Sequence, residues 1–237
     1  MPCYVLHCDL TATERDPEDH RQGGTIMIKP AEGLALVPCL LAPLLWFAWA
    51  GTSRADGIAF TFTAINFPGQ PYTQASDVND SGAVVGTYIE ASGGSGGNGF
   101  LYAGGSFATV DVPGGIDTSA LGISSSGYIV GQYFPAGTTD TQGFLDKGGS
   151  FTTISFPGAL ASDASGMTGS GEMVGSYIDA GLNEQAYVEA NGTFSPVNFP
   201  GATLTEALGV NAAGEIVGFY VDANGQARLS GQRGHFQ

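Results

Sequence analysis

Asp163 and Glu206 are the two residues of this sequence best suited to acid and base work, because they occupy the same step of a recurring pattern, one period apart. A glycosidase-type reaction needs such a pair of carboxyl groups set about one bond. The matching steps of the two earlier periods hold Gln74 and Ser119, which cannot do that chemistry. Gln74, Ser119, Asp163 and Glu206 are therefore read as variable polar residues near one end of an innermost strand, where they line a channel mouth and can contact a ligand. No catalytic residue is assigned.

Other chemistries lack their parts. The cysteines are Cys3, Cys8 and Cys39, and the histidines are His7, His20 and His235. Nucleophilic catalysis requires a nucleophile, a base and an orienting group, and from residue 56 onward the sole histidine cannot complete such a set. Zinc and iron sites fail for want of the same ligands. The glycine-rich stretch 93–97 has no lysine or helix after it, so it does not read as a phosphate loop. Asp77, Asn79, Ser81 and Gly82 match the opening of a calcium loop, D-x-N-x-S-G, but position twelve is Tyr88, where a bidentate glutamate is needed. A repeated turn is the better reading, so no cofactor is expected and calcium remains the weaker alternative.

The elements that must position these residues are set by a repeat. Pro-Gly recurs at Pro68, Pro113, Pro157 and Pro200, spaced by 45, 44 and 43 residues. Gly86, Gly131, Gly175 and Gly218, each two residues before a tyrosine, keep the same intervals. Between them fall a Thr/Ser-x-Ala element, beginning at Thr73, Thr118, Ser162 and Thr205, and a turn glycine at Gly82, Gly127, Gly171 and Gly214. Four markers in constant phase identify tandem copies of one unit.

Turn chemistry divides each copy into four short strands. The second copy shows them as residues 118–124, 128–133, 143–146 and 151–156. Glycines fit turns that need positive φ, β-branched and aromatic residues fill the strands, and Pro-Gly suits the centre of a type II turn. Four antiparallel strands per unit of this size predict an all-β fold, a small β-propeller of about four four-stranded blades. Residues 60–68 are expected to supply the strand that closes the ring. A β-solenoid, or part of a larger propeller, would use the same strands.

Written as a consensus, the copies read F-x-T-I-x-F-P-G-A, T-x-A-x-G-I-N-x-x-G-x-I-V-G-x-Y and G-F-L-x-x-G-G. This resembles the bacterial HAF family of extracellular repeats over residues 60–237. In place of the His-Ala-Phe stretch, the copies carry Asn98-Gly99-Phe100, Gln142-Gly143-Phe144 and Gln185-Ala186-Tyr187. The resemblance implies export and a propeller-like form, and it brings no established activity.

Composition and the leader agree with export. The 38 glycines among 237 residues exceed the usual share of about 7%, whereas 43% hydrophobic residues are enough to build a core. The net charge is −15, and from Asp56 onward only Lys147, Arg228 and Arg233 are basic. Such a surface repels phosphate backbones, so nucleic acid is not an expected partner. Residues 34–50 (LALVPCLLAPLLWFAWA) follow Lys29 and end in small residues suited to signal peptidase. Met27 is read as the true start, residues 1–26 as a mis-assigned start or disordered leader, 27–55 as the signal peptide and 56–237 as the repeat domain. The expected location is secreted, periplasmic or cell-surface, free of the membrane after cleavage; the alternative is anchorage by an uncleaved apolar helix. A non-catalytic binding or surface-interaction module follows, with an extracellular protein or polysaccharide as partner. The rival is a carbohydrate-active enzyme using the paired carboxylates.

Overall fold

A computed structural model of the chain describes residues 3–9, 26–29, 59–91 and 97–233, with side chains from 63–91 and 97–227. The apolar run 34–50 and the glycine-rich loop 92–96 lie outside the described residues. No helix among the described residues is long and apolar enough to cross a membrane.

The chain is all-β. Strands β1 (Cys3–Asp9), β2 (Ile26–Lys29) and β3 (Ala59–Ile65) form a three-stranded sheet. The repeat then builds four antiparallel blades in succession. The first contains β4 (Tyr72–Val78), β5 (Val84–Ile89), β6 (Gly97–Ala103) and β7 (Ser106–Val110). The second contains β8 (Gly115–Ile123), β9 (Ile129–Pro135), β10 (Gln142–Asp146) and β11 (Phe151–Ile154). In the third, the first strand is split into β12 (Ala161–Ser162) and β13 (Gly166–Met167), both paired with β14 (Met173–Ile178), and β15 (Glu184–Ala190) and β16 (Thr193–Pro196) follow. The fourth has β17 (Leu204–Val210), β18 (Glu215–Val221) and β19 (Ala227–Arg233). These are separate meander sheets of propeller-blade type, not the continuous stacked sheet of a solenoid.

The expected closure is not made. Strand β3 is antiparallel to β1 from Cys3↔Ile65 to Asp9↔Ala59, and the fourth blade has three strands among the described residues. Strand β3 ends its sheet with only β1 beside it, and β19 pairs with β18 alone among the described residues, so no ladder joins the two.

The repeat markers now have physical causes. At each Pro-Gly, the residue before proline accepts a hydrogen bond from the residue after glycine, as in Gly115 N to Val112 O at 2.9 Å and Ala159 N to Phe156 O at 3.0 Å. Gly114 and Gly158 have φ of 77° and 80°, the geometry of a type II turn that favours glycine. The Thr/Ser hydroxyl reaches back over that turn. Thr73, Thr118, Ser162 and Thr205 accept from the backbone N–H of Phe67, Val112, Phe156 and Phe199 at 2.9, 3.3, 3.1 and 3.2 Å. Three of those residues also stack on the marker tyrosine: Phe67 on Tyr88, Phe156 on Tyr177 and Phe199 on Tyr220, with centroids 3.7–3.8 Å apart. The glycine two residues before that tyrosine is required by close approach. A Cβ on Gly86, Gly131, Gly175 or Gly218 would collide with the backbone carbonyl of Gln74, Ser119, Asp163 or Glu206 on the neighbouring strand.

The core is a series of layers between blades. One joins Val85 and Val110 of the first blade to Ala120, Ile129 and Phe144 of the second; the next joins Val130 and Leu145 to Ala164, Met173 and Tyr187; a third joins Val174 and Val188 to Ala207 and Ile216. The second strands of the first three blades therefore bury both faces, which is why they read as such apolar segments. Each blade is completed by its neighbour, as in other repeat proteins.

Candidate functional site

Three of the blades bulge at the residue after the marker alanine, which opens the first strand beside the variable position. The register slips between Ala75 and Asp77, between Ala120 and Gly122, and between Ala207 and Gly209. The third blade goes further and breaks the strand. Asp163 donates its N–H to Ser176 O at 3.0 Å, but the Ser176 N–H turns to the Asp163 carboxylate, Oδ1, at 2.7 Å. The freed Asp163 carbonyl accepts the Tyr187 hydroxyl at 2.5 Å. Phenylalanine occupies that place in the first two copies, as Phe100 and Phe144, and cannot donate. An aspartate and a tyrosine in one copy thus explain the split into β12 and β13.

Asp163 Oδ1 also accepts from Ser165 Oγ at 3.1 Å. Burial pushes its carboxyl up to about 6 in spite of these donors, and the charge of Glu184 adds to the rise. Burial raises the Tyr187 phenol as well, with the Asp163 and Glu189 charges acting in the same direction.

The structure brings Asp163 and Glu206 into electrostatic contact across the boundary between the third and fourth blades. Glu206, half-buried on β17, is pushed up to about 7, first by burial and then by the charge of Glu184 and a hydrogen bond with its carboxyl. The rise favours the protonated, neutral form of Glu206 at this blade boundary. Glu184 opens β15, where a variable loop ends, and nothing in its local sequence sets it apart from that loop. The structure alone places it: at the matching loop end of the second copy, Thr141 accepts at its carbonyl from Ser162 N at 3.0 Å, so this loop end abuts the first strand of the next blade.

Gln74 and Ser119 take the same step on β4 and β8. Gln74 is exposed and accepts the Tyr72 hydroxyl at 2.7 Å, while Ser119 is half-buried opposite Gln132. The calcium-like segment is a hairpin turn and a clasp between blades. Asp77 Oδ1 accepts from Val78 N, and its Oδ2 accepts from Ile123 N of the next blade, both at 2.8 Å. Asn79 Oδ1 takes the N–H groups of Ser81 and Ala83, and its Nδ2 donates to Ser124 O at 3.1 Å. These oxygens satisfy backbone donors, the role of an Asx turn.

No protein-family model and no curated protein matches the chain. Among solved structures it is similar to the β-propeller domain of the Trilobed protease from Pyrococcus furiosus, at TM-score 0.49 and 9% identity over 76% of this chain and 55% of that one. Acylaminoacyl peptidase from Pyrococcus horikoshii gives 0.47 and 10% over 76% and 28%. A mutant of AofleA from Arthrobotrys oligospora gives 0.43 and 12% over 73% and 58%. The chain therefore spans less than two thirds of the length of each.

Proposed function

We propose that this is an exported, non-catalytic repeat protein of HAF type, whose blades present a surface for an extracellular protein or polysaccharide. The observation that carries the reading is the state of the carboxyl set. Asp163 Oδ1 is held by two protein donors, Ser176 N and Ser165 Oγ, which commits that carboxylate to holding the broken strand in place. Residues constant between copies serve turns and inter-blade packing, so the residues free to recognise a partner are those that vary.

The export part is tested by expressing the full chain in a bacterium and sequencing the N-terminus of the released protein. A mature start at Gly51 or Asp56 is expected; intact chain retained in the cytosol sinks it. A second reading, a carbohydrate-active enzyme, is favoured by the raised Asp163 and Glu206 carboxyls, since a general acid needs such a shift. If polysaccharide hydrolysis by the parent is lost in the Asp163→Ala, Glu206→Ala double variant, that reading replaces the first.

A further inference from the structure

We infer that the groove between the second and third blades is a binding site for a neutral sugar segment of a polysaccharide; this rests on the binding reading above. The groove encloses about 480 Å³, within the range of small-ligand sites. One wall comes from the second blade and includes Tyr128, Lys147 and Ile154. Two turns of the third blade form the other, and include Glu172, Glu189 and Asn191.

What singles out this groove is a coincidence of copy-specific residues. Tyr128 and Lys147 stand one step beyond the Ile129↔Asp146 pair, so they face each other across β9 and β10. The Lys147 ammonium lies 5.3 Å from the centre of the Tyr128 ring. The same two positions are Ala83 and Ala103 in the first copy, and Glu172 and Ala190 in the third. Packing therefore does not demand the Tyr-Lys pair. Lys147 is exposed, Tyr128 is 37% exposed, and Lys147 is the only basic residue among those with described side chains.

The opposite wall carries fixed negative charge. The Glu172 carboxylate accepts the hydroxyls of Thr168 and Ser170, which hold its pKa below the usual carboxylate range. Buried Glu189 accepts from Gly192 N at 2.5 Å. A sugar hydroxyl accepts from an ammonium and donates to a carboxylate, so a polyhydroxyl ligand satisfies both walls at once. Leu145, Met167 and Phe194 offer apolar surface for the C–H faces of a sugar ring. An anionic ligand would meet the −15 chain and Glu172, whereas a neutral polyhydroxyl ligand uses the Lys147 ammonium and the carboxylates together.

The test is isothermal titration of the full exported chain with cellohexaose, xylohexaose, mannohexaose and maltohexaose. At least one is expected to bind, and Lys147→Ala and Tyr128→Ala each to weaken it about tenfold or more. Both changes reproduce the first copy's alanines, and an unchanged melting temperature certifies the fold. Failure of all four hexasaccharides to bind, or affinities in both variants equal to the parent's, overturns the inference. If binding survives in the groove variants but falls in Glu206→Gln, the sugar lies at the carboxyl set, and the groove assignment fails while the binding reading stands. Reducing sugar released from a hexasaccharide removes the non-catalytic reading, whichever residues bind it.

Discussion

Single residues of this repeat act across boundaries that the sequence does not mark. The Thr118 hydroxyl is fully buried, accepts from Val112 N and donates to Asp111 Oδ1 at 2.9 Å. Thr118→Val keeps the shape but strands a buried amide, which should cost about 1 to 3 kcal/mol in urea unfolding. Glu206 gives a prediction with a definite sign. Its carboxyl rises from 4.5 to about 7 on folding, so between those values the folded chain holds a proton that the unfolded chain releases. That contribution to stability is complete below the unfolded value and is lost as pH climbs through 7. Glu206→Gln should flatten the decline, raising the melting temperature at pH 8 relative to the parent by a few degrees, a modest shift because the group is only half-buried. Parallel melting curves for the two proteins between pH 5 and 8 would refute the raised Glu206 carboxyl.

At the level of strands and turns, the glycines of the second strands are the most sensitive points. Gly131→Ala places a methyl against the Ser119 carbonyl and the Phe144 ring, which is itself fully buried, so neither neighbour can yield. A loss of about 3 kcal/mol by denaturant titration is expected, and retention of full stability would show that the strands can separate. The turns and strands are legible in the sequence because their causes are local: Pro157-Gly158 sets its own φ, and the apolar run at residues 128–133 announces a strand buried on both faces. Less local features are not. The bulge after the marker alanine leaves no composition signal, and the break at Asp163 depends on Tyr187, 24 residues away. The pair Asp163 and Glu206 shows itself by its phase in the repeat, but Glu184 is hidden because it meets Glu206 only across a blade boundary.

For the molecule as a whole, stability is the sum of layers between neighbours, and the layers are unequal. The third blade's β14 is buried at five of six positions, whereas β18 is buried at only two of seven. Amide hydrogen exchange should therefore be fastest in β17–β19 and slowest in β9 and β14, since a segment opens most easily where it buries the least apolar surface. Equal protection in all blades would mean that the layers unfold as one. The partner of β3 is another whole-molecule property, set by which strand reaches its edge, and sequence phase alone points to the fourth blade. The hydroxyl clasp over the last three Pro-Gly turns joins the last strand of one blade to the first of the next, so the architectural module and the repeating text are out of step. Recombination that gains or drops one full period, wherever its breakpoints fall, restores both a whole blade and a whole clasp. A lineage can thus lengthen or shorten this array without inventing a new junction.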